Sequence, residues 1–460
     1  MIPIEGFGKN VTGGAGCPVY TVTNGAATGA GTFSEIISAH RSNAIIQFDP
    51  SVITFMTPGN RYIGSNITID GLANGRSGVI KDGTMAAKMG LYIAGPASNV
   101  IIRGINFRGN MYGGHGAYDL LSTDGAAGVV DGVLVERCTF YNASDGAFDL
   151  SGSSSNVTVQ ACLFYETAKV CLVKYGTIGN VSYHHNVFVF NGERNPQIRG
   201  DVGPFELVNN IVLINSVAPG YPAGYAIWRE MDGGSISPYG LRVWNSITEV
   251  VGNVVLNVRG NVFLGDRAQT QIITDVGASD AGLYFDPQGT GTDSNYWNGS
   301  PAVFSPRVTP NDIPEEFQIT RHPIWALKSM LPEVGCPLRT GNDQARLDAV
   351  AAALGDDMPA TLTTVQSVSV SITINDSEGQ SAPVEGVPVW TSSDPAGLSV
   401  APAPDGFSAV LTADIVGTYT VTVTVDADLG AGVVPLERSL TVNVVPAQAS
   451  DIVFTVGIPY

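Results

Sequence analysis

The chain has 460 residues, of which 44% are hydrophobic and only 14% charged, and its formal net charge is −18. So acidic a body excludes nucleic acid and anionic membrane surfaces as main partners, and the length asks for two domains or one long solenoid with an addition. No apolar run is long enough to predict a membrane-crossing helix, and the opening MIPIEGFGKN lacks the basic start and apolar core of a secretion signal, so none is expected in it.

Along the chain, short units of alternating apolar and polar residues predict strands with one buried face. NITIDG from Asn66 and NVIIRGINF from Asn99 come first. An inserted loop is expected around Met111–Gly132, and it contains Asp119. VLVERCTF from Val133, VTVQACLF from Val157, VSYHHNVF from Val181 and FELVNNIV from Phe205 then follow at a constant step of 24 residues, and NVRGNVFL from Asn257 comes after them. One short strand per coil at a fixed period in the low twenties is the signature of a parallel β-solenoid, the alternative being a β-sandwich with evenly spaced strands. In a solenoid the sixth positions of these units, Cys138, Cys162, Asn186 and Asn210, lie directly above one another, so the two asparagines should form an internal ladder. The segment 341–356 predicts a short helix with Leu347, Val350 and Leu354 on one face. Beyond residue 357 Ser, Thr and Val dominate. Alternating segments from Val368, Val387, Phe407 and Arg438, broken by Pro, Gly and Asp turns, predict an immunoglobulin-like β-sandwich over 357–460. Its WTSSDPAGLSV and GTYTVTVTV resemble bacterial immunoglobulin-like modules of the Big type. The last stretch, AQASDIVFTVGIPY, reads equally as a strand or a tail.

Within this charge-poor chain, Asp119, Asp145, Asp149, Lys169, Arg194 and Arg199 all fall in or beside consecutive repeats, so the stacking should bring them to one face. Asp145 and Asp149 lie four apart, which on a strand projects both to the same side. Three carboxylates on one face repel one another unless a hard cation joins them, and oxygen donors of this kind suit Ca²⁺. The cations Lys169, Arg194 and Arg199 beside them suit an acidic substrate, even on an acidic body.

At these residues the chain resembles the pectate lyases of polysaccharide lyase family one. The likeness runs over roughly residues 5–355, from the glycine-rich EGFGKNVTGGAGCPVYTVTN through SNITIDG and NVIIRGINFRG to LPEVGCPLRTGNDQARLDAV. YDLL, DGAFDL, FYETAKVCLV, VSYHHNVF and RNPQIR stand in the family's order. The resemblance implies an all-β fold, a right-handed parallel β-helix over 1–356 followed by the immunoglobulin-like sandwich. It also implies cleavage of polygalacturonate or pectin by β-elimination, giving 4,5-unsaturated products. Asp119, Asp145 and Asp149 match the family's calcium ligands, Lys169 and Arg199 its substrate-carboxylate binders, and Arg194 its proposed Brønsted base. A secreted or virion-associated monomer is expected on that basis.

The sequence departs from the family at LVER, where Leu134, Glu136 and Arg137 replace the usual tryptophan, aspartate and histidine. The new cation Arg137 either alters the cleft or sits outside it. His184 and His185 look catalytic, but their place within a coil favours support of neighbouring strands. The Tyr-rich residues 212–240, with Trp228 and Arg229, read as either a sugar-stacking loop or structure. The five cysteines have no C-x-x-C spacing, so a zinc site is not expected. Cys138 and Cys162 read as buried free thiols rather than a pair. Two other functions remain open: a lyase for another uronate polymer or for methylated pectin, and a non-catalytic carbohydrate-binding or adhesion solenoid of the phage-tail kind. The three aspartates argue against the pectin-lyase variant.

Overall fold

The structure, a computed structural model, describes residues 2–52, 54–56, 59–73, 78–82, 89–109, 119–143, 145–214, 242–243, 254–265, 283–285, 296–297, 300–301, 314–320, 322, 324–337, 341–354, 360–372, 374, 383–428 and 433–446. The chain divides into two compact units, 1–288 with 294–354 and 289–293 with 355–460.

The first unit is a parallel solenoid with three strand-bearing faces. On the first face, Gly59–Ile63, Met89–Ala94, the start of Leu121–Glu136, the start of Phe148–Gln160, Leu172–Lys174, Gln197–Ile198 and Arg242–Val243 pair in turn. The second face carries Ala44–Phe48, Ile67–Asp70, Ala97–Arg103, the ends of the two long strands, Ile178–His184, Val202–Val208 and Val254–Arg259. The third carries short strands, among them Ile105–Arg108, Thr139–Tyr141, Leu163–Tyr165, Val187–Val189 and Ile211–Leu213. Val133, Val157, Val181 and Phe205 lie in register, so the 24-residue repeat is one coil.

Like residues stack because each coil repeats the last. Phe107, Phe140, Phe164 and Phe188 lie ring on ring at 4.8–4.9 Å between centroids, which is the strand spacing itself. The second face turns into the third through a single residue at positive φ: Gly104, Arg137, Ala161, His185, Asn209 or Gly260. The amide just after that corner is the predicted ladder, and it runs one coil further than expected. Asn186 Nδ2 donates to Asn210 Oδ1, and Asn210 Nδ2 to Asn261 Oδ1, both at 3.0 Å. Cys138 and Cys162 are buried free thiols.

Two flanking segments cover this stack. The glycine-rich start crosses the second face, with Gly8 N–H donating to Thr158 Oγ1 at 2.8 Å and Gly14 N–H to Thr68 Oγ1 at 2.9 Å. A Cβ on Gly8 would overlap the Val133 carbonyl, so the close approach requires glycine. Helix Gly341–Leu354 buries Leu347, Val350 and Leu354 as predicted, together with Asp343, whose carboxylate accepts from Tyr165 Oη at 2.5 Å.

One boundary differs from the reading of the sequence. Leu121–Glu136 is a continuous 16-residue strand with an irregularity between Gly125 and Val130. The expected insertion therefore does not reach Gly132. The run DGAAGVVDG hides the strand because small residues take the place of alternating apolar ones at the bend.

The second unit contains a four-stranded sheet, in the order Ala360–Thr363, Val433–Val445, Gly417–Asp428 and Val384–Ser392, and a three-stranded sheet of Ser367–Ser371, Ser408–Ala413 and Leu398–Pro402. All pairs are antiparallel except Ala360–Thr363 with Val433–Val445. The stretch from residue 447 onward lies outside the described residues.

Candidate active site

Where the third face turns back into the first, successive coils bring together five of the six charged residues singled out in the sequence. Asp119 precedes strand Leu121–Glu136 and Asp145 lies in the turn before Phe148–Gln160, while Asp149 is the second residue of that strand. One coil on, Lys169 bridges to Glu193, which places Arg194 just past that register. Arg194 is at φ 66°, in the left-handed region, at a cost of about 1 kcal/mol for a side-chain-bearing residue.

The contacts are electrostatic. Arg194 Nη1 lies 3.4 Å from Asp145 Oδ1 and 3.8 Å from Asp149 Oδ2, and Lys169 Nζ lies 3.9 Å from Asp145 Oδ1. Asp149 also accepts from Leu172 N–H at 2.8 Å, and Asp119 from Gly146 N–H at 2.9 Å. A Cβ on Gly146 would overlap both Asp119 Oδ1 and Asp149 Oδ1, so the glycine allows two carboxylates to face each other across the turn. Burial first, and then the neighbouring Asp145, pushes the Asp119 carboxyl up to about 6. Burial and the Asp119 charge hold Asp149 well above the usual carboxylate range, with Arg194 opposing them.

Arg199 follows strand Gln197–Ile198 on the first face, where its N–H donates to Val173 O at 2.9 Å. It lies next to Lys174, a buried cation that the sequence reading passed over. Gly146 was also missed, although the Asp145–Gly146 pair is a turn signal. The argument that Asp145 and Asp149 share a strand face does not hold. Asp145 is in the turn, and the turn with its glycine, rather than strand alternation, brings the carboxylates together. Among the described residues, no three Asp, Glu, His or Cys side chains converge on one point as a ready metal cage.

The departures at LVER are structural. Glu136 lies in an outward row on the second face, with Arg103 Nη1 at 3.9 Å and Gln160 Nε2 at 3.4 Å, and Arg103 in turn reaches Asp70 at 2.7 Å. Arg137 occupies a corner at φ 49°, away from the first face. The histidines are buried supports. Their Nδ1 atoms lie 2.8 Å apart, Glu5 O is 3.4 Å from His184 Nε2, and Asn209 Nδ2 is 3.2 Å from His185 Nε2. Burial lowers His184 to about 4, and burial with the neighbouring His184 and His322 holds His185 well below its ordinary range, so both are neutral at pH 7. The Tyr-rich segment with Trp228 and Arg229 lies outside the described residues.

The structure thus gathers cations and carboxylates beside one sheet of a parallel solenoid. Residues 5–226 match a family model described as pectate lyase. "Probable pectate lyase C" of Emericella nidulans is 28% identical over 222 residues, 48% of this chain and 49% of its own. "Pectate trisaccharide-lyase" of Thermotoga sp. is 33% identical over 117 residues, 22% of this chain and 31% of its own. The chain thus spans about half the length of the curated relatives it matches first. Among solved structures, a pectate lyase from Bacillus sp. N165 in complex with trigalacturonate overlaps 71% of this chain and 96% of its own, with TM-score 0.41 and 16% identity. The major allergen from cedar pollen overlaps 72% and 92%, with TM-score 0.45 and 15% identity. Among the described residues, no helix is long and apolar enough to cross a membrane.

Proposed function

We propose that this protein is a polysaccharide lyase, a pectate lyase that cleaves polygalacturonate by β-elimination with the help of calcium. The observation that carries the reading is the cluster of Asp119, Asp145 and Asp149 with Lys169 and Arg194 at one corner of a parallel solenoid, within a segment that matches the pectate lyase family model.

The donors suit a hard cation. Asp119 and Asp149 face each other across Gly146 with their proton affinities raised, so they carry a repulsion that a divalent ion would relieve. Substrate and water oxygens would complete the coordination. When bound, calcium would neutralise these carboxylates and draw electron density from a substrate carboxylate.

Lys169 and Arg199 hold the carboxylate of the sugar at the cut. The proton on C5 of that sugar is α to the carboxylate, so removing it places negative charge on the group that these two cations would neutralise. Arg194 takes that proton. An arginine normally stays protonated, so its work as a base demands an alkaline medium. The bond from C4 to the glycosidic oxygen then breaks with its electron pair on that oxygen, which takes a proton from the medium while Arg194 returns its own, so no water is consumed, unlike hydrolysis by two carboxylates. The enzyme acts outside the cell as a monomer. Residues 357–460 form an immunoglobulin-like, Big-type spacer or adhesion module.

The test is absorbance near 235 nm, which reports the unsaturated product, on polygalacturonate at pH 8–10 with Ca²⁺ or EDTA, beside Arg194→Ala. Calcium-dependent growth that the variant abolishes is expected. No signal on polygalacturonate, pectin or alginate would leave a carbohydrate-binding solenoid in its place.

A further inference from the structure

The first face carries an aromatic pair in line with the acidic cluster. Tyr62 pairs with Tyr92, Tyr92 with Ser122, and Ser122 with Asp149, so the four share one row across the strands. Ile63, Leu91 and Ile93 beside them are buried, so alternation turns both tyrosines outward, and Tyr62 is 38% exposed. Their ring centroids are 5.6 Å apart at 35°. Gly90 clears the space for the Tyr92 ring, since a Cβ there would overlap its edge, and Asn60 Nδ2 donates to Tyr62 Oη at 3.3 Å. The interior phenylalanine stack is closer, at 4.8–4.9 Å, and wholly buried, so it only fills the core. Tyr62 is exposed and Tyr92 half-buried, so the pair adds less to the core than the phenylalanines and leaves apolar ring surface with a polar rim at the outside.

We propose that Tyr62 and Tyr92 form an aromatic subsite that receives the apolar faces of sugar rings in the part of the polysaccharide extending beyond the acidic cluster. Tyr92 lies two strand spacings from Asp149 and Tyr62 three, roughly 10 and 14 Å along the solenoid. That step is comparable with the repeat of a 1,4-linked pyranose chain, so successive rings can meet successive tyrosines while the cations hold the reacting sugar. Stacking on a ring ignores charge, so the subsite would also accept methylated sugars. It makes the protein prefer long chains to short ones. The proposal rests on the polyuronate reading of the cluster.

The experiment compares wild type, the double variant Tyr62→Ala/Tyr92→Ala and the double variant Tyr62→Phe/Tyr92→Phe, with thermal melting to verify folding. The ratio of kcat/KM on polygalacturonate to that on trigalacturonate should fall about tenfold in the alanine variant, about 1.4 kcal/mol of lost contact, and persist in the phenylalanine variant. Calorimetric binding of hexagalacturonate and trigalacturonate, done in EDTA, separates the subsite from the chemistry. Tyrosine-dependent preference for the hexamer in a wild type that cleaves nothing would keep the subsite and remove the lyase reading. Equal ratios in wild type and the folded alanine variant, or no hexamer binding by wild type, would overturn the subsite.

Discussion

Two corners of the solenoid stack polar side chains coil over coil, and they end in opposite states. Inside the turn from second to third face, Asn186 donates to Asn210 and Asn210 to Asn261 at 3.0 Å per step, while Asn186 Oδ1 accepts from Cys162 N–H and Asn261 Nδ2 donates to Leu207 O, so the ladder is satisfied at both ends. At the turn from third to first face the stacked groups are carboxylates, which accept only. Asp119, Asp145 and Asp149 repel one another and depend on Arg194 and Lys169 for partial relief. An amide column is complete within the protein; a carboxylate column leaves its charges only partly balanced. Stacking therefore yields satisfied hydrogen bonds at one corner and residual repulsion at the other.

The contrast is broken most strongly at the cations. If Arg194 is the base, Arg194→Ala should lower kcat about a thousandfold, the range for losing a general base. Its melting temperature should stay within a few degrees of wild type. Steady-state absorbance at 235 nm and a thermal scan measure the two, and an active, folded variant would take Arg194 out of the chemistry.

The next largest effect belongs to acid and to the satisfied side of the molecule. His184 Nδ1 and His185 Nδ1 share one hydrogen bond in the buried interior, which two protonated rings cannot do. An unfolded histidine takes up its proton near 6.5, and folded His184 only near 4, so the unfolded chain binds more protons between those values. The stability tied to the neutral pair is full above pH 6.5 and is lost as pH falls through 4, by roughly 3 kcal/mol for His184 alone. Urea unfolding at pH 7.5, 5.5 and 4.5 should show the decline, and His184→Gln should flatten it. An unchanged slope in that variant would place the acid sensitivity elsewhere.

The ladder itself gives a smaller loss. Asn210→Ala removes the acceptor for Asn186 N–H and Nδ2 and a donor to Tyr183 O, leaving buried groups unmet. A destabilisation of about 2 kcal/mol is expected from the urea midpoint, with kcat preserved. A variant as stable as wild type would mean that the column is ornamental.

How much of this could be read in the residues depended on whether a feature repeats. The step from Val133 to Val157 to Val181 became strand register, and Asn186 over Asn210 became a ladder, because alternation and period survive in a linear string. The cluster was legible as a set of charges for the same reason. Its geometry was not. A left-handed Arg194, a turn carrying Asp145 and a glycine parting two carboxylates are set by backbone conformation, which leaves no periodic trace. The histidine pair shows the reverse. Two adjacent imidazoles advertise chemistry, and only burial and their shared hydrogen bond disclose support. Tyr62 and Tyr92 lie 30 residues apart, in coils too irregular for the 24-residue step to connect them.

The smallest effect tests whether the carboxylate corner is strained at all. Asp119→Asn keeps an acceptor for Gly146 N–H and removes one of the facing charges. Burial and Asp145 raise the Asp119 carboxyl to about 6, so above that pH its charge opposes folding. Without calcium, the variant should therefore be more stable than wild type by about 1 kcal/mol at pH 8, an increment that is much smaller at pH 4.5 and vanishes below the unfolded value near 4. With calcium the order should reverse, because wild type gains from the ion and the variant has given up a ligand. Melting curves in EDTA and in millimolar Ca²⁺ at both pH values decide it. An asparagine variant that is less stable in EDTA at pH 8 would show that Arg194 and Lys169 already balance the three aspartates. The cluster would then be a closed ion-pair network like any other, and the difference between the two corners would disappear.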